Sequence, residues 1–342
     1  MSDVLRFPAE WEPQSAVLVA WPHAGTDWAD RLETVESTYV ALVAAITRFE
    51  TALVCVANAE VEARALGLLA AAADLSRVKF ERLDYDDTWL RDSGPITLRD
   101  GNRLRLLDFH FTAWGGKFEA GRDDQIVATL SDRGVFGEAR RERIDFALEG
   151  GAIETDGEGT LLSTWRCLHE RHPGLDRQQV TGRLQGWLEQ RRTLWLEHGY
   201  LEGDDTDAHI DTLARFASAD SIVYQGCQDP GDAHHAELQA MAAELADFKQ
   251  ADGKPYRLFE LPWPQPILDR GRRLAASYAN FLIVNSAVLA PVYGDRADDA
   301  AMAVLQSAFP GREIVAVPCL PLIWQNGSLH CLTMQLPQGL IA

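Results

Sequence analysis

The chain has 342 residues, 46% of them apolar and 24% charged, which supplies a packed core and argues against wholesale disorder. Asp and Glu outnumber Lys and Arg by 51 to 32, a net charge of −19. A surface that acidic repels phosphate backbones and anionic lipid, which weighs against nucleic acid or a membrane as partner, and it suits a small cation.

Cys55, Cys167, Cys227, Cys319 and Cys331 are odd in number, widely spaced and without a CxxC pair. That pattern argues against a disulfide framework or Cys-rich zinc site and for a reducing compartment. The first residues, MSDVLRFPAEWEP, lack the basic and apolar regions of a signal peptide. The longest apolar run, Ala65 to Ala73, is far below the roughly 20 residues of a membrane span. A soluble cytoplasmic protein is therefore expected.

In chain order, Ser15 to Trp21 reads as a lone strand. Leu32 to Phe49 reads as a helix, its buried face marked by Val35, Tyr39, Leu42, Val43 and Ile46. A β-type run, Thr51–Val56, follows. Hairpins are predicted over Pro95 to Phe109, around Asp100-Gly101, and over Gly151 to Thr164, around Asp156-Gly157. Val180 to Leu196 reads as a second helix. A third hairpin spans Ile210 to Gln225, with its turn at Ser218–Asp220, and Ala236 to Phe248 forms a third helix. The fourth hairpin, Phe281 to Tyr293, turns at Asn285-Ser286. Glu313–Val317 and Ser328 to Leu336 are the last β runs.

The repeating unit is strand, strand, helix, strand, at roughly even spacing and without a visible sequence repeat. If the two terminal strands pair, they close a fifth unit, as in propeller-like folds that protect their sheet edges by radial repetition. An open two-domain α/β sheet fits less well, because the crossovers follow hairpins instead of single parallel strands. No linker divides residues 1–342, so one domain is expected.

Polar residues crowd the start of each hairpin. DDTWLRDSGP holds Asp86, Asp87, Trp89, Arg91 and Asp92, and LEGG holds Glu149. GDDTDAHID holds Asp204, Asp205, Asp207, His209 and Asp211, and NGSLHC ends in His330 and Cys331. In a radial array these positions converge. A thiol beside a histidine is a nucleophile with a base or acid. Surrounding carboxylates raise a thiol's pKa, and they make sense where the substrate is a cation such as a guanidinium, which they match bidentately. Each residue alone has a plainer reading. Cys331 reads as a buried small hydrophobe, and His209 and His330 as structural histidines, the latter structural or exposed. Trp89 and Trp114 read as core, Arg91 as an internal ion-pair partner, and Asp204–Asp207 as a solvated loop or cap.

Taken in order, FPAEWEP, DDTWLRDSGP, DFHFTAWGGKF, LEGGAIETDGEGT, DDTDAHIDTLARF, SYANFLIVNSAVLAPVYGD and NGSLHCLTMQLP resemble the agmatine deiminase family. That family is grouped with bacterial-type peptidyl-arginine deiminases among guanidino-modifying enzymes. The resemblance runs from Phe7 to Pro337. It implies a five-bladed pentein α/β-propeller and hydrolysis of a guanidino group to a ureido group with loss of ammonia. It also implies no cofactor and no metal, and a homodimer. Carried over by motif, the nucleophile is Cys331 and the general acid/base is His209. Asp92 and Asp211 hold the guanidinium, Glu149 orients His209, and Trp89 lines the pocket. Trp114 and Asp205 join the substrate-binding set, and a pocket walled by Asp204, Asp205 or Asp207 would favour a distal amine over a carboxylate. The chain departs from the family at IWQNGSLHC, where a Gly-rich run is common. It also departs at Ala208, Thr212 and Glu154, the last standing where His is common. Free or peptidyl arginine is the nearest alternative substrate. A metal-dependent hydrolase built on His209, Asp211 and the Asp204–Asp207 cluster, and a non-catalytic cation-binding protein, are the distant alternatives.

Overall fold

Near-continuous runs of branched and aromatic residues form short strands buried on both faces, and amphipathic stretches between them form covering helices. In the computed structural model, which describes residues 5–101 and 103–341, these elements assemble into five sheets of one repeated pattern. Residues 1–4, part of the segment read above for a leader, lie outside the described residues. So does Asn102, beside the first hairpin turn.

The first sheet begins with β1 (Gln14–Ala20), β2 (Thr51–Val56) and β3 (Val78–Arg82), joined in parallel. The crossover from β1 to β2 is the helix Leu32–Thr47, whose buried side includes Val35, Tyr39, Leu42, Val43 and Ile46. The second sheet pairs β4 (Ile96–Asp100) with β5 (Arg103–His110) as a hairpin, and β5 runs parallel to β6 (Arg140–Ala147). The third repeats this with β7 (Ile153–Thr155), β8 (Thr160–Thr164) and β9 (Arg192–Leu196). The fourth uses β10 (Ala214–Ser218), β11 (Ser221–Gln225) and β12 (Arg257–Leu261). A two-stranded ribbon, β13 (Leu268–Asp269) and β14 (Arg272–Arg273), precedes the fifth sheet. That sheet comprises β15 (Leu282–Val284), β16 (Ala287–Val292) and β17 (Glu313–Pro318). The last strand, β18 (Thr333–Pro337), returns to pair antiparallel with β1, Val17 opposite Gln335. The architecture is mixed α/β.

Two expected elements are corrected. The strand read over Ser328 to Leu336 begins only at Thr333, because His330–Leu332 forms a single turn ahead of β18. Val180 to Leu196 is not a single helix. A helix covers Arg177–Leu188, started by an Asp176–Gln179 capping box and ended by Glu189 at φ 55°. Arg192–Leu196 is then strand β9, because pairing with β8 satisfies its backbone better than a further helical turn.

A single-turn segment stands just before a strand in four units: Leu90–Ser93, Gly150–Ala152, Ile210–Thr212 and His330–Leu332. The first packs on the second and on the fourth, and the second on the third. These packed turns bring distant parts of the chain together.

Candidate active site

Each turn contributes a buried polar side chain. Leu90–Ser93 supplies Asp92, the residue before Gly150–Ala152 is Glu149, and Ile210–Thr212 supplies Asp211 with His209 immediately ahead of it. His330–Leu332 supplies Cys331. Cys331 is 4% exposed and its thiol faces Asp211 Oδ2 at 3.7 Å. The His209 imidazole lies between two carboxylates, with Nδ1 3.6 Å from Asp92 Oδ1 and Nε2 3.6 Å from Glu149 Oε2. Neither ring nitrogen has a partner at hydrogen-bond distance among the described residues. The expected set of Cys331, His209, Glu149, Asp92 and Asp211 is thus together in one place.

Backbone strain aims two of these groups. Ala113 and Trp114 have φ of 46° and 57°, left-handed values that side-chain-bearing residues rarely adopt. The turn carries the Trp114 indole to Asp92, where Nε1 donates to Oδ2 at 2.9 Å. Asp207 and Ala208, at φ 67° and 73°, do the same for the backbone leading into His209. Asp92 Oδ1 also accepts from the Gly151 amide at 2.9 Å.

The electrostatics separate the groups by role. Burial, with the Asp211 and Asp92 carboxylates beside it, pushes the Cys331 thiol well above its ordinary range. Burial, reinforced by Asp211 and Glu149 against the pull of His209, raises Asp92 to about 6. For Glu149, burial opposes the charge, but His209 and Arg171 outweigh it and hold the carboxyl below its usual value. Burial likewise works against charge on His209, and Asp92, Cys167 and Glu149 overcome it, holding the imidazole well above its ordinary value. Asp211 is held low, since His330, His209 and Arg215 override its burial.

A cavity of about 640 Å³ opens onto Cys331 and Asp92 and is walled by Trp89, Trp114, Asp205 and Asn326. Asp204 lines it too, but its carboxylate is engaged by the Thr206 amide and hydroxyl and the Ala208 amide. Asp207 does not line it. Its Oδ2 is taken by Arg171 at 2.6 Å and Lys117 at 2.7 Å. Asp205 gives one oxygen to Asn326 Nδ2 at 2.6 Å. Of the three aspartates before His209, Asp205 is the one left with an oxygen available to the cavity. Asp86, Asp87, Asp123 and Arg122 line it as well.

Several supporting residues carry no signal of their own in sequence. Asn280 Nδ2 donates to Cys331 Sγ at 3.3 Å, while its Oδ1 accepts from the His330 amide at 2.9 Å. His330 is buried, its Nδ1 2.7 Å from Asp211 Oδ2 and its Nε2 2.8 Å from Glu10 Oε2. Glu10 also binds Arg215 Nη2 at 2.8 Å, and Arg215 Nε donates to Glu154 Oε2 at 2.8 Å. Glu154, named above as a departure from the family pattern, is thus the partner of a buried arginine. Arg91 faces Glu10 Oε2 at 3.7 Å and donates to Gln335 at 2.6 Å, an internal partner as expected. Arg171 Nε donates to Glu149 Oε1 at 2.7 Å.

No helix among the described residues is long and apolar enough to cross a membrane. The sequence model of the Porphyromonas-type peptidyl-arginine deiminase family matches residues 6–337. The agmatine deiminase of Stutzerimonas stutzeri is 35% identical over 96% of this chain and 95% of its own. That of Pseudomonas aeruginosa is 33% identical over 98% and 96%. A solved structure of a singly substituted C. jejuni agmatine deiminase with substrate bound superposes with a TM-score of 0.91 at 34% identity, covering 98% of this chain and 97% of that one. From Phe7 to Pro337 the ordered motifs and the converging turns have one explanation, and the chain belongs to the Porphyromonas-type peptidyl-arginine deiminase family.

Proposed function

We propose that this protein is an agmatine deiminase, hydrolysing the guanidino group of agmatine to N-carbamoylputrescine and ammonia without a cofactor. The observation that carries the reading is a buried thiol facing two carboxylates at the floor of an acidic cavity, with a doubly flanked histidine behind one of them. The relatives named agmatine deiminase support the choice of substrate.

In this reading Asp92 and Asp211 bind the planar guanidinium and hold its carbon at Cys331. The substrate's positive charge offsets the burial and the carboxylates that keep the free thiol protonated, so the S–H bond breaks as substrate binds, its proton going to solvent and leaving the thiolate. The thiolate attacks the guanidinium carbon to give a tetrahedral adduct. His209, kept protonated by Asp92 and Glu149, donates its proton to the departing ammonia and leaves an amidino-thioether on Cys331. Neutral His209 then takes a proton from water, whose attack releases the ureido product and the free thiol. Trp89 and Trp114 wall the pocket, and Asp205 faces the distal amine.

We further propose that the five sheets close as blades of a pentein propeller, one domain over residues 1–342 sealed by the β1–β18 pairing. A homodimer and a cytoplasmic location complete the reading, the latter in keeping with five unpaired cysteines. Free or peptidyl arginine is the competing substrate, since the matching family is described by peptidyl-arginine. Ammonia release measured side by side on agmatine, arginine and a peptidyl arginine tests the choice. Agmatine should give the highest kcat/KM, and equal or better use of arginine contradicts the reading. Asp205→Asn should erode the preference mainly through KM.

A further inference from the structure

Cys167 lies on the helix Trp165–Arg171, which follows β8 and packs behind the site. It is fully buried, and the proposed reaction gives it no part. Its Sγ is 4.0 Å from Glu149 Oε2, the oxygen that also faces His209 Nε2 at 3.6 Å. One donor atom from each of Glu149, Cys167 and His209 lies within 4.8 Å of the other two, and all three residues are buried. A second observation points into this group. Both nitrogens of the fully buried His209 lack a hydrogen-bond partner among the described residues, so a lone pair is available there when the ring is neutral.

Thiolate, imidazole and carboxylate are the donors zinc selects, at about 2.3, 2.0–2.1 and 2.0–2.2 Å from the ion. Tetrahedral angles at those lengths separate nitrogen from oxygen by about 3.4 Å and sulfur from oxygen by about 3.6 Å. The observed 3.6 and 4.0 Å are longer by a few tenths, within reach of small rotations of the side chains. Arg171 holds Glu149 by Oε1, which leaves Oε2 to the group.

We propose that Glu149, Cys167 and His209 form an inhibitory site for a thiophilic divalent cation, Zn²⁺ being the chemical type. The proposal rests on His209 and Glu149 serving the deiminase reaction. On binding, the Cys167 S–H bond breaks, its proton goes to solvent and the sulfur lone pair forms the metal–sulfur bond. His209 gives up its proton likewise and ligates through its lone pair. The ion thereby removes the acid that protonates ammonia and, with it, turnover. Oxygen-preferring Mg²⁺ and Ca²⁺ do not compensate a thiol's ionisation and do not inhibit.

The test uses the whole chain, freed of metal, with Zn²⁺ for activity and Co²⁺ as a spectroscopic probe. Zn²⁺ should inhibit agmatine turnover, and chelation should restore it. Co²⁺ should give a sulfur-to-cobalt charge-transfer band that persists in Cys331→Ser and disappears in Cys167→Ala. Measured against its own uninhibited turnover, Cys167→Ala should need about tenfold or more Zn²⁺ for the same inhibition. Unchanged Zn²⁺ sensitivity in Cys167→Ala, or a cobalt band lost in Cys331→Ser instead, overturns the proposal. Where Cys167→Ala fails to fold, Cys167→Ser gives the same spectral decision. A chain inert toward agmatine refutes the deiminase reading, while the cobalt band still decides the site.

Discussion

At the scale of single residues the site is a balance of charges that is incomplete without a cation. Burial, with two carboxylates beside it, keeps the Cys331 thiol protonated, and in the proposed reaction a guanidinium is the complement that reverses this. Cys331→Ser should bind agmatine and lose turnover by orders of magnitude, since an alcohol is scarcely ionised at neutral pH. Near-normal steady-state rates in that variant would exclude the thiol. Asp92, raised to about 6, gains a proton and loses its charge as the pH falls through that value. The kcat/KM for agmatine should therefore drop below about pH 6, and Asp92→Asn should abolish that limb. The same variant should lower kcat/KM by about 30- to several-thousand-fold, the equivalent of roughly 2–5 kcal/mol for an unpaired buried charge. Glu149 helps keep His209 protonated, so Glu149→Gln should move the alkaline limb to lower pH. Superimposable profiles for wild type and Glu149→Gln would remove Glu149 from that role. The five converging groups and Trp89 are legible in sequence because each stands in an ordered motif. Glu10, Asn280 and Arg171 are not, although the first two lie in quoted motifs. What gives them a task is a partner far along the chain, as with Glu10 and His330, and only the fold supplies it.

At the scale of elements, the short turns ahead of the strands leave no room for side chains they do not use. A β-carbon on Gly151 would sit 2.6 Å from His209 Nδ1 and 2.8 Å from Asp92 Oδ1. Gly151→Ala should therefore cost about 100-fold or more in kcat/KM, the scale of a small displacement of reacting groups. Gly182, inside the helix Arg177–Leu188, meets nothing within 4 Å. Gly182→Ala should leave activity unchanged and raise stability by roughly 0.5–1 kcal/mol in denaturant titrations. A stabilised Gly151→Ala with full activity would refute the packing of the turns. The four hairpins were legible because their turn residues are local signals, as with Asp100-Gly101 and Asp156-Gly157. The end of the second helix was not, because Arg192–Leu196 becomes a strand through its pairing with β8.

For the whole molecule the acidic balance is not only a matter of surface. Burial is the main cause that raises Asp87 to about 8, and Asp123 and Glu50 to about 7. Carboxyls raised on folding stabilise the fold below their unfolded values, and that contribution is lost as pH rises through the folded ones. Melting temperature should fall as pH rises from about 4, the ordinary carboxylate value, to about 7 to 8, and level off above. Asp87→Asn should flatten that decline, and an unaltered slope would show that Asp87 ionises freely. The pairing of β1 with β18 was inferable only from the count of units, since nothing local marks two strands at opposite ends of the chain as neighbours. The measurement that bears most directly on the account is mass spectrometry of the protein quenched during turnover of agmatine. The account predicts a covalent adduct of agmatine less ammonia on the peptide that carries Cys331, absent in Cys331→Ser. Turnover with no such adduct at any quench time, or an adduct on another cysteine, would contradict it.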